Sequence, residues 1–176
     1  PEVMRRHFAY GPWAGPASEQ LGRWQIVLLD STAPDQIGGS FSQQELERFD
    51  QLLRESTASF ILIALHHQPV PVGSVWIDRY ALERPGAFWQ ICDLDRRIRG
   101  VVWGHIHQDW RTERRGISLL GAPSTAANSL PGRDRFTLDL AGPACRWIEL
   151  SPDGAVRTGL FLTDQSSAGS NSQRIR

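Results

Sequence analysis

Phe60-Ile61-Leu62-Ile63-Ala64-Leu65-His66-His67-Gln68-Pro69 is six apolar residues in a row, then two histidines, a glutamine and a proline. A short apolar run rich in β-branched residues, bounded by a breaker, reads as a strand buried on both faces. Upstream, Ser42-Gln43-Gln44-Glu45 has the form of a capping box, and Leu46, Phe49, Leu52 and Leu53 recur at helical spacing. An amphipathic helix is therefore predicted over 43–55. Before it, residues 23–30 (R-W-Q-I-V-L-L-D) read as another buried strand. Strand, helix, strand in this order is the crossover unit of an α/β sheet, and ligands in such sheets gather beyond the carboxyl ends of the strands. His66 and His67 lie at that end.

Downstream the pattern repeats. Gly100-Val101-Val102-Trp103 reads as a strand and runs into Gly104-His105-Ile106-His107. Two histidines at i and i+2 on an extended backbone project to the same side. Four of the chain's five histidines thus stand directly after buried strands, which favours a metal site over capping or surface roles. The fifth, His7, stands alone near a Gly/Pro-rich loop and reads as solvated. Asp30-Ser31-Thr32 is either an edge of the site or a turn cap.

The remaining chain is read more coarsely. Residues 1–21 hold a short helix at 3–8 and then loop. Residues 68–84 form a long loop containing Trp76, which either lids a base-like ligand or plugs the core. A helix is expected over 86–95. After His107 the chain changes to short strands at 108–115, 117–120, 136–140, 145–150 and 156–162, separated by Gly/Pro turns and expected to be antiparallel. Residues 1–163 are taken as one domain and 164–176, poor in apolar residues, as a disordered tail.

Composition narrows the function class. The chain has 176 residues, 40% apolar, with 19 acidic and 19 basic residues that are all arginine. Balanced charge announces no nucleic-acid face. No segment approaches the roughly 20 apolar residues of a membrane span. Two cysteines without C-x-x-C spacing fit a reducing compartment, so a cytoplasmic protein is expected. The chain opens on Pro1-Glu2-Val3-Met4, which suggests part of something longer.

In His66-His67-Gln68-Pro69-Val70-Pro71 and Gly104-His105-Ile106-His107-Gln108 the chain resembles the calcineurin-like metallophosphoesterases, and among these the bacterial class III cyclic AMP phosphodiesterases. The likeness extends through Leu29-Asp30-Ser31, residues 72–78, Ala122-Pro123-Ser124-Thr125, and Arg146-Trp147-Ile148-Glu149-Leu150 to Pro152-Asp153-Gly154. It implies a mixed α/β (α+β) fold, part of a four-layer αββα sandwich with C-terminal antiparallel hairpins. It also implies two divalent or mixed-valence metal ions (iron, manganese or zinc), with His66 and His105 on one and His107 on the other. His67 would either support the ligands or face the substrate, a cyclic nucleotide, whose base Trp76 could pack against; no nucleic-acid or membrane partner is expected.

The D-x-H, G-D-x-x-D and G-N-H-[DE] motifs of that family have no match here. The resemblance is thus to its C-terminal portion, with no catalytic leaving-group histidine in this chain. The expected activity is hydrolysis of 3',5'-cyclic AMP to 5'-AMP when the missing half is present, and negligible hydrolysis by these 176 residues alone. The rivals are a metallophosphoesterase acting on phospholipid headgroups, phosphoproteins or nucleic acid, and a non-catalytic domain with remnant histidines.

Overall fold

The computed structural model describes residues 17–162; the segment 1–16 with His7 and the segment 163–176 lie outside the described residues. The frame is a six-stranded sheet of order β1-β2-β3-β4-β6-β5. It comprises β1 (Ala17–Leu21), β2 (Trp24–Leu28), β3 (Phe60–Leu65), β4 (Ile98–Trp103), β5 (Trp110–Arg114) and β6 (Ile117–Gly121). The four central strands, β2, β3, β4 and β6, run parallel, and β1 and β5 close the two edges in antiparallel sense.

The helix α1 (Gln43–Glu55) begins where the capping box places it. Ser42 accepts the Glu45 amide while the Glu45 carboxylate accepts the Ser42 amide at 2.7 Å. Phe49 and Leu53 from α1, with Phe88, Trp89 and Cys92 from α3 (Gly86–Leu94), cover one face of the sheet over Val27, Ile61, Ile63, Val101 and Leu119. The period-2 alternation of β3 sends Phe60 and Leu62 to the opposite face. There they meet Trp24 and the hairpin β9 (Ala144–Leu150)–β10 (Val156–Leu162) through Ile148, Leu150 and Val156. Gly154, at φ +90°, forms the hairpin turn under Phe60, whose ring would lie 2.4 Å from any Cβ there. The turn needs glycine for both reasons.

Several expectations are corrected. Residues 17–21 form an edge strand rather than loop, because they pair in full with β2 across a turn at Gly22. The strands after His107 are not all antiparallel. β6 pairs with β4 in parallel, since β5 and its turn at Arg115-Gly116 return the chain to the sheet beside β4. The 136–140 strand shortens to β8 (Leu138–Asp139), paired with an unanticipated β7 (Asn128–Ser129). The 68–84 loop contains a one-turn helix, α2 (Val75–Asp78). Cys92 and Cys145 are both free. Among the described residues no helix is long and apolar enough to cross a membrane.

Candidate metal centre

Strand register explains why distant histidines meet. β3 and β4 are paired so that Leu65 lies opposite Trp103, which sets His66 beside Gly104 one step beyond the sheet. A Cβ at 104 would stand 3.4 Å from His66 Nδ1, at contact distance, so Gly104 and the His66 ring are immediate neighbours. The chain then turns instead of extending. His105 has φ +56° at the centre of a three-residue turn closed by the Ile106 N–H donating to the Gly104 carbonyl at 2.6 Å, and His107 has φ +53°. Ile106 between them is fully buried and anchors the turn in the core. The extended i, i+2 geometry expected from sequence is therefore replaced by two non-glycine residues in the left-handed region. Such residues each cost about 1–3 kcal/mol and gather at functional sites.

His66, His67 and His105 each offer a ring nitrogen, and these lie within 4.8 Å of one another. His66 Nε2 and His105 Nδ1 are 3.2 Å apart. Two nitrogens on one ion at about 2.0–2.1 Å stand roughly 2.9–3.4 Å apart for octahedral to tetrahedral angles. This pair therefore has the spacing of two ligands to one metal. His105 Nε2 is buried without a hydrogen bond of good geometry, and the Tyr80 backbone lies close to the His105 ring. Burial, reinforced by the neighbouring imidazoles, lowers the pKa of His66 and takes that of His105 to about 4. Both rings are neutral at pH 7, the form that binds metal.

His67 is held differently. Its Nε2 lies 2.9 Å from the Ile37 carbonyl, which only accepts, so Nε2 carries the proton. Nδ1 then accepts from the Ser31 hydroxyl at 2.9 Å, and the Ser31 oxygen accepts the His67 amide. No lone pair remains for a metal, and the ring is 4% exposed. It braces the cluster from below, at 4.8 Å from the His66 ring and 4.6 Å from that of His105. Of the two places the resemblance leaves open for His67, behind the ligands or facing the substrate, the bonds to Ser31 and Ile37 describe a ring enclosed behind His66 and His105. Gly39 makes room for it, since a Cβ there would sit 2.5 Å from the ring. Asp30 accepts from the Thr32 amide and hydroxyl, so that stretch is a turn cap at Asp30 and a site edge at Ser31.

His107 stands outside the group of three, yet near enough that its charge bears on both His66 and His105. Its Nδ1 donates to the Ala127 carbonyl at 2.8 Å, leaving Nε2 as the free lone pair. Trp76 is half-buried against the main core, meets the Phe136 ring edge-on at 5.5 Å, and has its indole nitrogen buried without a partner. Of the residues that reasoning from sequence passed over, Ile37, Gly39, Tyr80 and Ala127 act through backbone or through a missing Cβ. No side-chain signal marks them.

No family model matches the chain. Its sequence is 36% identical to the 3',5'-cyclic adenosine monophosphate phosphodiesterase CpdA of Pseudomonas aeruginosa, over 82% of this chain and 53% of that protein. It is 37% identical to CpdA of Vibrio vulnificus (86% and 58%) and 34% identical to that of Escherichia coli (84% and 56%). The chain spans about half the length of these curated relatives. Among solved structures it matches GAP50, described as the anchor in the inner membrane complex of Plasmodium (TM-score 0.57, 12% identity, 92% of this chain and 53% of that one). It also matches a dimetal phosphatase from Danio rerio (TM-score 0.52, 14% identity, 61% and 48%).

The fold is thus one found among dimetal phosphatases, with a histidine cluster at the carboxyl ends of its parallel strands. The chain is related in sequence to the bacterial cyclic nucleotide phosphodiesterases, of which it spans about half.

Proposed function

We propose that this chain supplies the His66, His105 and His107 portion of a two-metal phosphodiesterase site whose substrate is 3',5'-cyclic AMP and whose product is 5'-AMP. The 3.2 Å approach of His66 Nε2 to His105 Nδ1 across two parallel strand ends carries the reading, and the relatives' activity supports the substrate. His66 and His105 would hold one cation and His107, through Nε2, the other; iron, manganese and zinc all suit imidazole donors. When bound, such a pair of cations lowers the pKa of a shared water and neutralises phosphate charge during in-line attack.

The protein's own part is to keep His66 and His105 neutral, to fix their rings against His67, and to aim His107 through Ala127. Trp76, with its edge-on partner Phe136, would pack against the base. The histidine group contains no carboxylate among the described residues, and a bridged pair of cations needs further anionic ligands. We therefore expect negligible hydrolysis from the 176 residues alone, and the activity from a polypeptide that also carries those ligands.

The test is cyclic AMP turnover by the full gene product with manganese or iron, beside a nitrophenyl diester and a phosphomonoester. His66→Ala and His105→Ala should each abolish turnover and lower bound metal. Full metal content in both variants refutes the ligand assignment, whereas monoester preference refutes the substrate. A Trp76→Ala protein with unchanged KM for cyclic AMP removes Trp76 from the binding site.

A further inference from the structure

The left-handed His105-Ile106-His107 turn is held by a buried knot of polar groups from three segments. Ser74, Gln108 and Ser129 are all 2% exposed or less. The Gln108 side-chain amide donates to Ser129 Oγ at 2.9 Å, and Ser129 Oγ in turn donates to the Ile106 carbonyl at 3.2 Å. The Ser129 amide donates to the His107 carbonyl at 3.0 Å. At the far end Ser74 Oγ accepts the Gly132 amide at 2.9 Å and donates to Gln108 Oε1 at 3.3 Å. Next to Ser129, Asn128 spans Ser124 and Gly142 with its side chain, which fixes the 124–128 loop and with it the Ala127 carbonyl that His107 meets.

A fully satisfied buried network has one low-energy arrangement, because breaking any member leaves an unpaired polar group away from water. Both carbonyls that follow the strained residues, those of Ile106 and His107, are tied to one side chain and amide of β7. Ala127 immediately precedes that strand. The turn and the acceptor for the His107 ring are therefore positioned by adjacent residues of one strand, Ser129 and Asn128.

We propose that Ser129, supported by Gln108, is a positioning residue that holds His107 in the Nδ1–H tautomer with Nε2 turned to the site. Ser129 touches no substrate or metal; it acts through the turn. The functional meaning of the Nε2 lone pair rests on the two-metal reading, but the ring state is measured on the metal-free chain, so failure of either is seen separately.

The experiment is long-range proton–nitrogen NMR of the histidine rings in the labelled 176-residue chain above pH 7.5, with His107 assigned by its loss in His107→Gln. The wild type should show His107 as Nδ1–H and His67 as Nε2–H. In Ser129→Ala the minor tautomer of His107 should rise about fivefold or more, while His67 keeps its pattern. Ser129→Thr, which retains the hydroxyl, should restore the wild-type ring state, and Gln108→Leu should reproduce the change. An Nε2–H pattern for His107 in the wild type overturns the proposal whether or not the variants fold. So does an unchanged His107 in a folded Ser129→Ala or Gln108→Leu, or an equal change at His67, which would report general loosening.

Discussion

Gly121→Ala should destabilise the protein, and Ile106→Val should rescue much of the loss. Gly121 ends β6 opposite Trp103 and Trp110, and its φ is ordinary, so alanine is acceptable to the backbone. A Cβ there would lie 2.5 Å from Ile106 Cδ1, 3.1 Å from Trp110 Cβ and 3.2 Å from Trp103 Nε1. The tryptophans need to give only a few tenths of an ångström, but Ile106 must move by about 1 Å to reach ordinary contact distance. It is fully buried. Overpacking of this kind costs about 1–3 kcal/mol. Ile106→Val alone costs about 0.5–1.5 kcal/mol by leaving a small void. It deletes the atom that clashes, so in the double variant the new methyl fills the vacated space.

The pair should therefore fall short of the summed single effects by about 1 kcal/mol or more, measured by urea unfolding of all four proteins at constant m-value. The site should follow. Gly121→Ala pushes on the residue between His105 and His107, so metal uptake should weaken in the single variant and recover in the double. Additivity within about 0.5 kcal/mol would show that Ile106 and Gly121 do not share the space the structure assigns them.

Gly39→Ala would drive a methyl into the His67 ring and break its bond to Ser31; a loss of about 2–3 kcal/mol is expected, with the His67 ring signals displaced in NMR. A wild-type His67 pattern in that variant would refute the close approach. Acid should weaken the fold through the histidine pair. The folded pKa of His105 lies near 4, below the 6.5 of the unfolded chain, so the unfolded state takes up the proton first. Its contribution is whole above pH 6.5 and drains away as pH falls toward 4, and protons compete with metal in the same direction. Unfolding of wild type and His105→Gln across pH 7.5–4 should converge on acidification, and parallel curves would contradict the lowered pKa.

What could be read early was what local chemistry dictates. Ser42 and Glu45 set the start of α1, and the apolar runs at 60–65 and 100–103 read as buried strands. Strand–helix–strand order then fixed the parallel sense of β2 and β3, and placed His66 and the His105–His107 pair at one end of the sheet. The recognition of both histidine motifs needed nothing beyond residue type and spacing.

Only tertiary structure could decide the rest. The pairing of Leu65 with Trp103 is a non-local register, invisible in either strand alone, and it is what brings His66 Nε2 to His105 Nδ1. The left-handed turn at His105 and His107 runs against the intrinsic preference of both residues and exists because Ile106 is buried and β7 grips the adjoining carbonyls. Whether a histidine is a ligand or a brace depends on what occupies its two ring nitrogens, and for His67 the answer came from Ser31 and a backbone carbonyl at Ile37. Residue type is a local property that a sequence carries in full. Which lone pair stays free is settled by partners far away in the chain, and only the folded state assembles them.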